Sequence, residues 1–306
     1  LALQRQDNLK AAIASYQQAL KLKPNYAEAH INLGVAYKEL GDLKAAINYQ
    51  QQALKLNPNY PEAHWNLGLI ELLSGNYESG WKNYEWRWKR KNTKLPHAQP
   101  QIPEWKGQTL SSADKLLVIS EQGLGDTIQY MRYIPHLQQQ GIDISFCAQT
   151  NLHGLIKASN IHSNPLTPEQ ANAVNEGPWI PLLSLPKYLG VSPQNPIITE
   201  PYISATDTLV SKWNKILSQE QKPIIGINWQ GNPDAEKNNL QGRSIALELL
   251  SPLAKNAKFQ FLSLQKGYGS EQLETCSFRE TFVSCQKEID AIWDFVETAA
   301  IIANCD

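Results

Sequence analysis

The feature of this chain that most constrains its fold is a set of residue types that recurs after 34 positions. The segment Pro24–Gly34 returns as Pro58–Gly68, with proline, asparagine, tyrosine, glutamate, alanine, histidine, leucine and glycine at matching places. This period is typical of an array of helix pairs in which each pair buries its apolar face against the next. A third unit begins near Gly75 and runs into an aromatic stretch made of Trp81, Tyr84, Trp86 and Trp88. Because the open end of such an array needs a cover, we expect these aromatic residues to close it and to join it to the next domain.

The repeated residues resemble those of tetratricopeptide repeats, above all the Asn-Leu-Gly triplets that begin at Asn32 and Asn66. The resemblance covers residues 1–91 and implies an α-solenoid with an aromatic capping helix, followed by a proline-containing linker over 92–110. It also implies that the first helix of the first repeat is missing, so we expect more repeats before Leu1.

Solenoid curvature presents a polar groove on the inner face of the repeats, so we expect a protein or peptide partner there. Asn32 and Asn66 are the residues expected to clamp a peptide backbone, with Tyr37 and Glu71 beside them. The alternative is that the asparagines only satisfy helix ends.

Composition indicates a globular protein with no overall attraction for nucleic acid. The 306 residues allow two or three domains, and an apolar share of 42% is enough for each to have a core. With 28 basic and 29 acidic residues the net charge is -1, so we expect no nucleic-acid partner. Four scattered cysteines lack the spacing of a zinc site or a disulfide framework, which indicates thiols in a reducing compartment. We therefore expect a cytoplasmic protein.

The start of the chain does not resemble a targeting signal. No run of about 18 apolar residues predicts a transmembrane segment. The chain starts at Leu1, with neither an initiator methionine nor a signal peptide. We expect it to be an internal fragment of a longer protein.

Beyond the linker, short apolar runs alternate with amphipathic stretches, a rhythm that predicts parallel β-sheets with crossover helices. We interpret it as two Rossmann-like halves over residues 111–200 and 201–306 that face each other across a cleft. Residues 160–200 yield no element. The predicted strands are 115–120, 142–147, 223–229 and 259–265, and the predicted helices are 127–140, 207–217, 245–255 and 291–303.

The first strand is followed by a short loop with two glycines. Gln122, Gly123, Gly125 and Asp126 occupy it, and the glycines permit a tight turn before the next helix. Asp126 is either a functional carboxylate or only the cap of that helix, and these two interpretations stay open on local grounds.

A second group of polar residues follows the two strands of the second half. Arg243 and Ser244 are predicted to open a helix, where a diphosphate would find both a helix dipole and a charged donor. The alternative is that Arg243 and Lys266 are solvated surface charges. The group consists of Asn228, Trp229, Gly231, Asn232, Arg243, Ser244, Gln265 and Lys266.

Five segments, in this order, resemble bacterial tetratricopeptide proteins fused to a heptosyltransferase-like glycosyltransferase domain. They are Glu121–Tyr133, Ser184–Pro186, Gly226–Asn232, Arg243–Ile245 and Ser263–Gly267.

The resemblance implies a GT-B fold, in which an α-solenoid precedes two Rossmann-like halves. It further implies an inverting, metal-independent sugar transfer from a nucleotide-sugar donor, bound by the second half, to an acceptor hydroxyl near the first loop. No cofactor is implied, because the nucleotide-sugar is a substrate. In that comparison Asp126 matches the general base and Arg243 the donor-phosphate contact.

The resemblance also implies that the second half is incomplete, because the chain ends at Asp306 before the family's loop that closes over the diphosphate. We therefore expect this length of chain to be inactive. Two further functions stay open: a non-catalytic adaptor with a degenerate glycosyltransferase-like domain, and a nucleotide-binding regulator.

Overall fold

The computed structural model describes residues 9–198, 200–234, 244–255 and 258–306. The chain divides into two compact units. The first contains the chain up to Gln149 together with Pro165–Glu200, and the second contains Thr150–Asn164 and Pro201–Asp306. The repeats and most of the expected first α/β half therefore lie in the same unit, whereas residues 150–164 of that half belong to the second unit.

Antiparallel helix pairs form the N-terminal part of the first unit, as the 34-residue period predicts. Two sequence signals begin these helices: Asp42 accepts a hydrogen bond from the Ala45 N–H (3.0 Å) as an N-cap, and Pro61 occupies the first turn of another. The helices are α1 (Leu9–Leu22), α2 (Ala27–Glu39), α3 (Leu43–Leu56), α4 (Pro61–Leu73) and α5 (Tyr77–Tyr84), followed by the 3₁₀ helix Glu85–Lys89.

The repeated glycines lie where helices touch. A Cβ placed on Gly34 would lie 2.4 Å from the Nε2 of the fully buried Gln50 on α3. A Cβ on Gly68 would lie 2.6 Å from the backbone nitrogen of Tyr84. Both distances are far inside van der Waals contact. At Gly68 the neighbouring atoms are backbone, so the close approach requires glycine there, whereas at Gly34 the nearest atom is the end of a side chain.

We predict that Gly68→Ala destabilises the first unit by about 1–3 kcal/mol, because the added methyl group meets backbone that has no rotamer to change. Urea unfolding followed by circular dichroism measures this change. Gly125→Ala is the control: nothing lies within 4 Å of the Cβ position at this helical glycine, so its stability should hold or rise. Equal losses in the two variants would contradict the packing argument.

The rest of the first unit is built on a three-stranded parallel sheet in the order β2-β1-β3. Val118 on β1 pairs with Phe146 on β2 and with Ile180 on β3, and all three side chains are fully buried. The elements are β1 (Lys115–Ile119), α6 (Leu124–Tyr130), α7 (Tyr133–Gln139), β2 (Asp143–Cys147), α9 (Pro168–Asn172), β3 (Trp179–Pro181) and α10 (Leu185–Tyr188).

Two features of this sheet differ from the sequence-based expectation. Strand β3 was not predicted, because three residues that end in a proline carry no periodicity. The single helix expected over 127–140 is two helices, α6 and α7. Pro135 has no N–H to bond the Met131 carbonyl, which instead accepts the Ile134 N–H at 3.0 Å in a tighter turn.

The second unit has a two-stranded parallel sheet, β4-β5, in which Ile224 pairs with Gln260 and Ile227 with Ser263. Trp213, Leu262 and Ile301 belong to its core. Its elements are α8 (His153–Ala158), α11 (Asp207–Leu217), β4 (Ile224–Ile227), the 3₁₀ helix Leu247–Leu250 with α12 (Ser251–Ala254), β5 (Gln260–Ser263), α13 (Gln286–Asp290) and α14 (Phe295–Ile302).

Two helix expectations in this unit are corrected. The helix predicted over 245–255 is a 3₁₀ turn joined to a one-turn helix, with Pro252 in its first turn. The helix predicted from residue 291 begins at Phe295, because the Asp294 carboxylate accepts the Glu297 N–H (2.9 Å) and sets the start there. Across the described parts of both units, no helix is long and apolar enough to span a membrane.

Candidate functional site

The loop between β1 and α6 lies at the carboxyl end of the central strand of the first sheet. Gly123 precedes the first residue of α6, and the half-buried Asp126 accepts the Gly123 N–H through Oδ2 at 2.9 Å. The carboxylate therefore caps the helix. The structure brings Gln122, Gly123, Gly125 and Asp126 together in one turn, and the catalytic role of Asp126 stays a prediction.

Residues from outside the loop hold its backbone in place. Gln122 has a left-handed φ of 63°, which is uncommon for a side-chain-bearing residue. Its amide donates to the Tyr84 hydroxyl at 3.3 Å, and Thr127 on α6 donates to Gln149 at 2.8 Å. Burial raises the pKa of Tyr84, so its hydroxyl stays protonated near neutral pH.

A histidine of the linker also reaches the loop. His97 Nδ1 lies 2.8 Å from the Ser120 hydroxyl, directly beyond β1. Burial lowers the pKa of His97, although backbone hydrogen bonds at Ser120 and Gln122 act in the opposite direction. The neutral imidazole is thus favoured beside the loop. Sequence reasoning assigned no role to this residue because nothing in its local pattern marks it.

Behind the loop, a buried ion pair joins the repeats to the sheet. Arg87 comes from the 3₁₀ helix that ends the repeats, and its Nη2 and Nε donate to Glu121 at 2.9 and 3.2 Å. Arg87 is 5% exposed and Glu121 is fully buried. Arg87 also donates to Ser184 (2.7 Å) and to Glu85, while the Leu183 N–H donates to Glu121 at 3.1 Å. The guanidinium therefore ties the residues after β1 to those after β3.

Electrostatics explain why Arg87 and Glu121 are stable in the protein interior only as a pair. Burial raises the pKa of Glu121, and Arg87 acts against this shift. The pKa of Arg87 lies above its ordinary value: burial lowers it, but the carboxylates of Glu121 and Glu85 outweigh burial. Charge-assisted bonds of this kind compensate for lost hydration only while both partners are present. Sequence reasoning missed this pair because each residue alone looks like an ordinary surface charge.

The aromatic residues around Arg87 complete the junction. Trp86 stacks on His64 of α4 with ring centroids 3.8 Å apart. Trp81 Nε1 donates to the Val191 carbonyl at 2.9 Å. These contacts cover the end of the repeat array and attach it to the α/β part of the same unit.

We predict that Arg87→Met destabilises the first unit by about 3–5 kcal/mol, because it leaves Glu121 buried without its cation. The double variant Arg87→Met, Glu121→Met should regain most of that loss, because neither charge then remains buried. Thermal and urea unfolding of the four members of the cycle measure the coupling. Lys82→Met, which breaks an exposed pair with Glu78, should change stability little. A double variant as unstable as the single one would contradict this account.

In the second unit, the residues proposed for donor binding follow β4 and β5. Gln265 is 3% exposed, and its Oε1 accepts the N–H groups of Trp229 and Gln230 at 3.2 and 2.9 Å. Its Nε2 donates to the carbonyls of Gln230 and Tyr268. All four hydrogen-bonding positions of this amide are used within the protein. Gln265 thereby connects the two loops at the carboxyl edge of the sheet.

The other proposed donor residues occupy different environments. Trp229 is buried and its Nε1 donates to Gly269 (3.1 Å), whereas Asn228 and Asn232 are exposed. The Gly231 N–H donates to the Ser244 hydroxyl at 3.0 Å, which brings these two residues together.

Two basic residues complete the proposed donor group. Lys266 donates to the carbonyl of Ile289, near the end of α13, and burial lowers its pKa. Arg243 lies outside the described residues.

The repeats present a pair of equivalent asparagines. Asn32 on α2 and Asn66 on α4 are half-exposed, and neither side-chain amide hydrogen-bonds to another described residue. Tyr37 and Glu71 do not lie beside them, contrary to the expectation from sequence. Tyr37 and Glu71 each follow the asparagine of their helix by five positions. Five residues of α-helix correspond to a rotation of about 140°, so each side chain leaves the helix on a different face from the asparagine. Tyr37 stacks on Tyr49, and Glu71 is buried against Asn83.

Comparison with known proteins supports the repeats. Residues 2–41 and 36–75 match the family model described as TPR repeat. Protein FlbA of Caulobacter vibrioides is 28% identical over 129 residues, which make up 41% of this chain and 22% of that protein. The chain therefore spans about a fifth of the length of this curated relative. The N-terminal region of the chain carries tetratricopeptide repeats.

Solved structures show a partial likeness. The crystal structure of MamA is 27% identical, with a TM-score of 0.27 and coverage of 28% of this chain and 50% of that one. The second TPR of Spaghetti (RPAP3) bound to an HSP90 peptide is 19% identical, with a TM-score of 0.27 and coverage of 28% and 79%. MamA 41-end from Desulfovibrio magneticus RS-1 is 21% identical, with a TM-score of 0.27 and coverage of 29% and 53%.

Proposed function

We propose that the tetratricopeptide region recruits a protein partner, and that the α/β part transfers a sugar from a nucleotide-sugar to an acceptor. The observation that supports recruitment of a protein partner is the pair of asparagines, Asn32 and Asn66. These amides occupy the same place in successive repeats, are half-exposed, and have no hydrogen-bond partner among the described residues. A carboxamide offers one acceptor and two donors, which suits the backbone of an extended peptide.

We predict that Asn32→Ala with Asn66→Ala weakens partner binding about tenfold or more, because two side-chain hydrogen-bonding groups are lost. Affinity capture with a quantitative mass readout, followed by titration of the captured partner, measures the loss. Asn25→Ala with Asn59→Ala is the control, since these exposed turn residues recur at the same spacing. If both double variants capture the same proteins to the same extent, the asparagine face does not bind the partner.

Support for sugar transfer comes from the β1–α6 loop. It follows the middle strand of a β2-β1-β3 parallel sheet, and open parallel sheets bind ligands beyond the carboxyl ends of their strands where the strand order reverses. Asp126 places a half-exposed carboxylate there. Transfer to a hydroxyl requires a base of this kind, whereas the leaving nucleoside diphosphate requires fixed positive charge, a role we assign to Arg243.

We predict that Asp126→Asn lowers turnover by a factor of about 10² to 10⁴ in an active form of the protein, because an amide cannot accept the proton. Release of nucleoside diphosphate from a panel of nucleotide-sugars measures turnover. The control is Asp294→Asn, which alters another helix-capping aspartate. Because asparagine keeps a capping oxygen, both variants should fold alike. If Asp126→Asn keeps normal turnover, Asp126 only caps the helix and is not the general base.

One observation favours a non-catalytic adaptor as the second candidate. Arg87 and Glu121 fill the space between the residues after β1 and after β3, where a ligand of a parallel sheet would otherwise enter. Thermal shift of the protein with nucleoside diphosphates separates the two functions. Stabilisation by a nucleotide favours the transferase, and no shift with any nucleotide favours the adaptor.

A further inference from the structure

The end of the repeats carries a strong local excess of positive charge. Residues 82–94 contain six basic residues and one acidic residue, in a chain whose net charge is -1. Arg87 is buried in its ion pair, but Lys89, Lys91 and Lys94 are exposed. Among the described residues, no carboxylate lies within salt-bridge distance of these three lysines. We call Lys89–Lys94 the basic strip.

Aromatic contacts fix the basic strip against α4. The Arg90 guanidinium lies 3.8 Å above the Trp65 ring, and the Lys89 ammonium lies 3.8 Å from the Trp86 ring. Trp86 in turn stacks on His64. The Thr93 hydroxyl donates to the Arg90 carbonyl at 2.9 Å and holds the turn of the strip. The strip is therefore an ordered part of the surface next to the helix that carries Asn66.

Asn66 shares its side of α4 with apolar residues. Leu73 follows it by seven positions, nearly two full helical turns, and Leu69 lies one turn from it. Leu73 is 66% exposed and Leu69 is partly exposed. Trp65, the α4 residue that Arg90 covers, directly precedes Asn66. A surface that carries exposed apolar side chains and cations without carboxylate partners is one that a partner with acidic and apolar residues complements.

The aromatic rings argue against single-stranded nucleic acid as the occupant. Proteins hold such strands by stacking bases on exposed rings. Here Arg90 covers the ring of Trp65, while His64 and Lys89 contact Trp86. The lysines remain available for charge pairing, whereas the rings are already engaged.

We propose that the basic strip, together with Asn66 and Leu73, binds an acidic segment of a protein partner that carries a large aliphatic residue. The proposal rests on the recruiting half of the proposed function and names the chemistry of the partner. The aliphatic side chain covers Leu73, the partner's carboxylates pair with Lys89, Lys91 and Lys94, and Asn66 bonds the partner's backbone.

Fluorescence anisotropy with a short labelled peptide that alternates glutamate and leucine tests the proposal. We expect binding that weakens as salt rises, and no binding of the same peptide with glutamine in place of glutamate. The triple variant Lys89→Glu, Lys91→Glu, Lys94→Glu should lower affinity by about tenfold or more, because attraction becomes repulsion.

The matched control is Lys21→Glu, Lys44→Glu, Lys55→Glu, which makes the same change of charge at exposed lysines of α1 and α3. This variant should keep most of the affinity. Equal losses in the two triple variants would show a general charge effect and overturn the proposal. Tighter binding of a single-stranded oligonucleotide of equal charge would overturn it in favour of a nucleic-acid surface.

The failure of this proposal is distinguishable from failure of recruitment itself. If the asparagine variant loses its partner while the acidic peptide does not bind the unaltered protein, recruitment stands and the acidic partner is wrong. If the peptide binds and the basic-strip variant loses it, the acidic partner is supported. Circular dichroism spectra of both triple variants, compared with that of the unaltered protein, test whether the variants are folded.

Discussion

The contact on which the first unit depends is the buried pair of Arg87 and Glu121. Each charge is excluded from water, and each is compensated only by the other and by the polar groups around them. Arg87 belongs to the turn that ends the repeats, whereas Glu121 leads into the β1–α6 loop. The repeats and the sheet are thus joined by an ion pair. Removal of either partner would leave the other charge buried and unpaired, which would lower the free energy of unfolding.

This junction connects the two halves of the proposed function. Arg90 of the basic strip lies over Trp65, the neighbour of Asn66 in α4, and Arg87, three residues earlier, pairs with Glu121. Because Trp86 packs on His64 and Trp81 bonds to Val191, the turn is held firmly between α4 and the α/β part. A recruited partner would therefore be held at a defined position relative to the β1–α6 loop, which belongs to the same unit.

Local signals predicted much of the fold. The repeat helices follow from periodicity, and β1, β2, β4 and β5 all lie within the predicted strands. Predictions failed where a proline or a cap overrode the apolar pattern, as at Pro135 and Asp294. For the site, the turn that contains Gly123 and Asp126 was expected from its place after a strand, and the functional role of these residues stays a prediction. Residues such as Arg87 and His97 were missed, since their importance comes from partners distant in sequence.

The sequence by itself determined the repeat period, the helix faces that must be buried, and the order of strands and helices, because these properties depend on neighbours within a few turns. Only the tertiary structure decided that Gln265 is satisfied internally and that Glu71 packs between helices. It alone brought Arg87 to Glu121. The physical reason is that a charge or an amide gains its role from the atoms that replace water around it, and those atoms come from distant parts of the chain.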